Sequence, residues 1–528
     1  MAAMLLLTAF VILLCLAANR VSGKWGLPAL LLFMALGMIF GSDGILKISF
    51  DNYEATEKIC LIALVFIIFY GGFGTKWEMA KPVAVKSMVL STLGTFFTAM
   101  LTCVFCYLVL HMEFSESFLI GAVLSSTDAA SVFSILRSKN LDLKHKTSSL
   151  LELESGSNDP IAYMLTIVGL SLLSGEKISV PTMLLQQIAF GIAVGVVMAL
   201  LGCIIIEKSN ALTEGFDTIF VIAVVLISYA AAEVLHGNGY LSVYLTGIIM
   251  GNQRLKNKAV LVHFFDAMTG MAQMAIFFLL GLLAFPHKIF PVLPVALAIV
   301  LFLTLVARPV VVTLLLKPLG CSMRQCVLIS CAGLRGAASI VFAIMAMSNG
   351  AVLQHDLYHI VFFIALFSVA IQGSLLPWAA KKLVMIEEGG NILKTFTDYQ
   401  EESAITMIRF FIPHGHGWAD KKIQEVNLPA GSLALMIKRE NETVIPKGDT
   451  VLRAGDSIIL SVPEYQAAGD VNLKEIVIDK FHAWNGKTIA ELNLPENILI
   501  AMLKRGEENI IPRGKTKIKE NDIVVIYD

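Results

Sequence analysis

Residues 1 to 380 hold repeated apolar runs of eighteen or more residues, the length needed to cross a hydrocarbon layer as a helix, though the run at 240–252 is short for a full crossing. That pattern constrains the fold more than any motif does. In lipid, backbone N–H and C=O groups must be satisfied within the protein, and continuous helices are the available solution for such segments. About thirteen candidate spans can be drawn, near 3–19, 27–42, 58–75, 86–109, 117–136, 151–174, 181–206, 216–235, 240–252, 266–285, 290–316, 325–348 and 357–380. The charged residues are correspondingly few, 15% of 528. The expected class is a polytopic α-helical membrane unit over residues 1–382, followed by a linker over 383–405 and a soluble α+β tail. The opening run MLLLTAFVILLCLAANR reads as the first of these helices rather than a cleaved leader.

The loops fall into two alternating sets. One carries Arg20 and Lys24, Lys76 and Lys81, Arg137 to Lys146, Lys208, Arg254 to Lys258, Lys317 and Arg324, and Lys381 and Lys382; the other holds only scattered lysines. The positive-inside rule puts the rich set and the tail in the cytoplasm, with an outside N-terminus. The near-neutral net charge of −1 gives no case for nucleic acid. The cysteines, CVFC (Cys103, Cys106) included, read as packing groups.

Four ionisable groups fall deep in spans: Asp128, Glu154, Asp159 and Arg335. Each costs about 2.5–3.5 kcal/mol at mid-bilayer, so they must face a cavity or one another. Asp128 lies in GAVLSSTDAASVF, where Ser125, Ser126 and Thr127 add hydroxyls and an unwound stretch would also offer carbonyls. Asn158 and Asp159 lie in ESGSNDPIA, just before Pro160, whose missing N–H loosens the helix. A carboxylate beside a neutral amide oxygen can hold either a proton or a cation. Arg335, in CAGLRGAASIVF, needs a buried anion, and Glu154 is the expected partner. The fifth and twelfth spans are rich in small residues and run in opposite directions, the arrangement of inverted-topology repeats whose interrupted helices cross at an ion site. Glu233, His236, His263, Asp266 and Arg308 lie near predicted span ends and read as helix-end groups, with Asp266 and Arg308 the candidates for a vestibule.

The tail repeats itself without gaps at an offset of 66 residues, with Ile423 aligned to Ile489, Lys438 and Arg439 to Lys504 and Arg505, and Asp456 to Asp522. The two modules span about 406–460 and 473–528 and read as a pseudo-twofold pair that holds a dimer together or gates the membrane unit by binding a ligand. Lys438, Arg439, Lys504 and Arg505 are the candidate contacts for an anionic ligand. The histidines of PHGHGW (413–418) lack further clear metal ligands.

With SSTDAASVFSILR, LELESGSNDP and GLRGAAS in view, residues 1–380 resemble NhaP-type monovalent cation/proton antiporters, in particular their potassium/proton branch. The resemblance implies that Asn158 and Asp159 form the ion site, with Thr127, Asp128 and Ser155 as further oxygen donors and Glu154 paired to Arg335. It implies K⁺ or Na⁺ exchanged for H⁺, no cofactor, no enzymatic reaction, a homodimer in a bacterial inner membrane, and, from the Asn-Asp form of the pair, electroneutral exchange. The tail resembles two copies of the C-terminal module of potassium-uptake regulators (TrkA-C or RCK-C-like); relatives of that module bind nucleotides or cyclic dinucleotides. A ligand-gated potassium channel is the competing reading, and it lacks a TVGYG-like filter segment.

Overall fold

The computed structural model describes residues 2–25, 28–48, 50, 52–139, 141–175, 179–208, 216–253, 255, 258–348, 353–387, 405–413, 415–426, 428, 432–439, 442–463, 473–478, 482, 484–492, 494, 499–505, 508–510, 512–520 and 522–527. The expected linker lies largely outside this set. The chain divides into two compact units, residues 1–400 and 401–528.

The first unit is all helical. Its elements are α1 (Ala2–Trp25), α2 (Ala29–Phe40), α3 (Tyr53–Gly74), α4 (Ala84–Leu108), α5 (Phe114–Val123), α6 (Ala129–Ser138), α7 (Thr147–Leu173), α8 (Val180–Lys208), α9 (Phe216–Val234), α10 (Gly239–Gly251), α11 (Lys258–Leu283), α12 (Phe290–Leu316), α13 (Met323–Cys331), α14 (Ala337–Ser348) and α15 (Leu357–Lys382). Eight helices among the described residues are long and apolar enough to cross a membrane, and four shorter apolar ones are α2, α5, α10 and α14. The ion-site candidates of the sixth expected span sit on α7, whose charges keep it out of a purely apolar count.

Large apolar side chains stand exposed on α1 (Leu6, Phe10, Leu13), α8 (Leu185, Val197, Leu200) and α12 (Leu301, Leu305, Leu314). A surface this apolar suits lipid rather than water. Inside, α2 packs on α11, and α3 packs on α10. The α3–α10 contact is nearly backbone to backbone. A Cβ on Gly247 would strike the carbonyl of Phe69, and one on Gly72 the carbonyl of Tyr244. Close approach of small residues is how membrane helices gain packing energy when lipid removes the hydrophobic drive.

Two of the expected spans are broken in the middle. α5 ends at Val123 and α6 begins at Ala129; α13 ends at Cys331 and α14 begins at Ala337. Ser125, Ser126 and Thr127 in the first break and Gly333 and Gly336 in the second are the residue types that tolerate or satisfy a free backbone.

In the second unit each repeat forms a four-stranded antiparallel sheet. β1 (Ile405–Phe411), β2 (Leu433–Arg439), β3 (Glu442–Val444) and β4 (Ser457–Pro463) take the order β1-β4-β2-β3; β5 (Leu473–Val477), β6 (Leu499–Arg505), β7 (Glu508–Ile510) and β8 (Ile523–Tyr527) take the order β5-β8-β6-β7. The repeat extends to irregularities: the bulge at Ala434–Met436 recurs at Ile500–Met502. Arg439 donates from Nε and Nη2 to the buried Asp456, each at 2.8 Å, and from Nη2 to the Val451 carbonyl. Arg505 does the same with Asp522 and Lys517.

Burial pushes Asp456 and Asp522 up, but the paired guanidinium groups and the backbone N–H donors of Arg453 and Lys519 outweigh it, and both carboxyls end below the usual range. A lowered folded-state value means the pair stabilises the tail above the unfolded carboxyl pKa of about 3.9, and the contribution is lost as pH falls through the lower folded value. Asp456→Asn or Asp522→Asn should therefore destabilise its module by about 1.5–3 kcal/mol at neutral pH, measured by denaturant unfolding. The deficit should vanish in acid, where the native carboxyl is also neutral.

Candidate ion-binding site

The two breaks meet. The N–H of Asp128 donates to the carbonyl of Leu334 at 2.8 Å, and Arg335 Nη1 donates to the carbonyls of Ser125 at 3.1 Å and Ser126 at 2.7 Å. The carbonyl of Thr127 accepts Ser155 Oγ at 2.7 Å. The carbonyls that the sequence offered to a cation are thus used within the protein. Arg335 caps the C-terminal end of α5, where the helix dipole is negative, and Asp128 caps the positive N-terminal end of α6, accepting Ser131 Oγ at 2.5 Å and its N–H at 3.3 Å. A Cβ on Gly336 would collide with the Asp128 carboxylate, so only glycine lets the second break come this close.

The expected pairing of Glu154 with Arg335 is replaced by another. Glu154 Oε1 accepts Arg308 Nη2 at 3.0 Å, with the two side chains only 1% and 2% exposed. Arg308 therefore lies in the interior, not in a vestibule. Arg335 lies near enough to Glu154 to feel its charge but makes no direct ion pair with it; its Nη1 is turned to the carbonyls of the opposite break. The sequence reading grouped Arg308 with residues near span ends and so missed its buried pairing. Its signal was a lone arginine inside the apolar run 290–316.

A cavity of about 460 Å³ adjoins the crossing, lined among others by Ser126, Thr127, Asp128, Glu152, Ser155, Asp159 and Asp266. The Ser126 hydroxyl donates to Asp159 Oδ1. Asn158 is fully buried and off the cavity wall; its Nδ2 donates to Thr127 Oγ1 at 2.5 Å and to Glu154 Oε1 at 3.3 Å. One face of α7 therefore presents Glu152, Ser155, Gly156 and Asp159 to the cavity, and the neighbouring face holds Glu154 and Asn158 against Thr127 and Arg308. The helical period made this division readable; Glu152 was passed over, although it falls seven residues before Asp159 on the same face. In the second unit Lys438 is exposed on β2, and the guanidinium groups of Arg439 and Arg505 are engaged by Asp456 and Asp522. Both arginines thus carry a structural task beside the ligand contact expected of them. The side chain of Lys504 lies outside the described residues, as does His414.

The profile of the sodium/hydrogen exchanger, transmembrane family matches residues 6–382. The chain belongs to that family. A TrkA-C domain profile matches twice, over 407–467 and 473–527. Among similar proteins is one named K(+)/H(+) antiporter NhaP from Alkalimonas amylolytica, 32% identical over 454 residues, covering 85% of this chain and 79% of that protein. Another is K(+)/H(+) antiporter NhaP2 from Shewanella sp. (strain ANA-3), 31% identical over 446 residues, covering 83% and 77%. The structure of the sodium proton antiporter MjNhaP1 from Methanocaldococcus jannaschii shares the fold, with TM-score 0.63 at 20% identity, covering 72% of this chain and 99% of that one.

The buried Glu154–Arg308 pair carries a stability prediction. Arg308→Leu alone leaves a buried anion and should destabilise the detergent-solubilised protein by about 3–5 kcal/mol. The double replacement Glu154→Leu with Arg308→Leu should cost less than the sum of the two single ones, as read from a cycle of unfolding free energies.

Proposed function

We propose that this chain exchanges a monovalent cation for H⁺ across the membrane, with Asp159 as the group the two compete for. What carries this reading is the Asp159 carboxylate, hydrogen-bonded by Ser126, at the wall of a cavity beside two crossed helix breaks. Deprotonated, Asp159 binds the cation; protonated, it releases it. Thr127, Asp128 and Ser155 supply oxygen around it, and Asn158 supports the site from behind through Thr127. Glu154 is held by Arg308 and Arg335 by backbone carbonyls, so both are struts. Because the pair Asn158–Asp159 offers one charge, the exchange is one for one and electroneutral. The names of the relatives favour K⁺, with Na⁺ as the second choice. A carrier fits the charged centre better than a channel does, because the sequence has no carbonyl filter segment.

In this reading the membrane unit makes thirteen crossings, counting α5–α6 and α13–α14 as one interrupted span each, arranged as inverted repeats. The lysine-rich loops and the tail face the cytoplasm of a bacterial cell, the N-terminus lies outside, and the protein is a homodimer. The modules over about 406–460 and 473–528 regulate it or join its protomers, and an anionic small molecule such as a nucleotide or cyclic dinucleotide is the candidate ligand.

In everted vesicles, K⁺ or Na⁺ should dissipate an imposed pH gradient, and an imposed voltage at fixed ion gradients should leave the rate unchanged. Asp159→Asn should abolish exchange with the protein still folded. Retained exchange in that variant would remove the central residue, and voltage-driven transport would overturn the electroneutral stoichiometry.

A further inference from the structure

The cavity ends on α7 at Asp159. Its lining on that helix runs from Glu152 to Asp159, and on α3 it takes the half from Leu64 to Gly71, so it leans toward the ends that carry the lysine-rich loops. The next residue on the same helical face is Tyr163, four positions on, and it is buried. Its ring meets Tyr240 of α10 edge-on at 4.9 Å and Phe342 of α14 at 5.8 Å, and Tyr229 of α9 packs on Tyr240 at 5.2 Å. These four rings form a packed plug that starts one helical turn beyond Asp159, outside the cavity lining.

The plug is tied down at one place. The last turn of α9 and the turn that joins it to α10 present Glu233 and Asn238 to α7. Tyr163 donates its hydroxyl to Glu233, at 3.4 Å from either oxygen, and Asn238 Nδ2 donates to the carbonyl of Pro160 at 2.8 Å. Glu233 also accepts the N–H of Gly239 at 3.0 Å, at the first residue of α10. So the single helical turn that follows Asp159 is held, by two side-chain hydrogen bonds, to an element that contributes nothing to the crossing of the broken helices. Capping α10 explains the Gly239 bond. It does not explain a carboxylate that also takes the hydroxyl of Tyr163, one turn beyond the cavity wall.

We infer that the α9–α10 turn is the outer latch of the ion path, with Glu233 acting as a positioning residue through Tyr163. With the latch closed, Asp159 communicates only with the side of the lysine-rich loops. For Asp159 to reach the other side, Tyr163 must leave Tyr240 and its hydroxyl must leave Glu233. The inference rests on the antiport reading given above, since it concerns the sidedness of that exchange.

The latch has a signature that simple damage lacks. Weakening it shifts the population toward the state open to the far side, and an apparent affinity scales with the fraction of protein in the competent state. Full-length protein is reconstituted in one orientation, and exchange is measured with K⁺ added to either side. Tyr163→Phe keeps the ring and removes the bond, and Glu233→Gln keeps the shape and removes the charge. Each should lower the far-side KM by about fivefold, the effect of one ordinary hydrogen bond, without lowering the KM on the side of the lysine-rich loops. The double variant should show no more than the larger single effect. A far-side KM that stays the same or rises overturns the latch, as does a fall of both KM values together. Absence of exchange in the wild-type protein would instead sink the antiport reading, and the latch with it.

Discussion

Backbone polar groups have to be satisfied where two helices are broken inside a membrane, and the rest of the site follows from how this chain does it. The break after α5 leaves carbonyls, and the break before α14 supplies Arg335 to take those of Ser125 and Ser126. The carbonyl of Leu334 in return accepts the N–H of Asp128. Each break therefore completes the other. Charge follows the same logic, with the guanidinium at the negative end of α5 and the Asp128 carboxylate at the positive end of α6. Neither break could persist alone, because non-helical backbone at this depth is tolerated only where protein or a wet cavity satisfies it.

That economy assigns the acidic groups of α7 their separate tasks. Glu154 is neutralised by Arg308 out of reach of solvent, and a buried pair of this kind is costly to break. Asn158 ties Glu154 to Thr127 and so links α7 to the break. Asp159 is left on the cavity wall with the Ser126 hydroxyl as donor, the place the proposed exchange asks of it. The same helix carries Tyr163, one turn further on, into the ring cluster with Tyr240 and Phe342.

Much of this was legible in the residues. Periodic apolar runs gave the helices, Ser-Ser-Thr and Gly-rich segments marked both breaks, and the 66-residue offset predicted two copies of a sheet that proved alike down to a bulge. The partners of the buried arginines were not legible. Arg335 and Arg308 are each an arginine in an apolar helix, and only the crossing of the chain decides which meets carbonyls and which meets Glu154. Sequence spacing fixes the face of a helix, as it did for Glu154 against Asp159, but not which distant element that face meets. The tail teaches the same lesson. Arg439 and Arg505 read as candidate ligand contacts, and their pairing with Asp456 and Asp522, 17 residues along the chain, was not visible in the spacing.

The central claim is that cation and proton compete for one carboxylate. Proton release on cation binding tests it most directly: K⁺ added to the detergent-solubilised protein in weakly buffered solution near neutral pH, with a pH indicator reporting. A single proton released per cation bound in the wild-type protein, and none from Asp159→Asn, is the predicted result. Cation binding without proton release, or release that survives in Asp159→Asn, would contradict it.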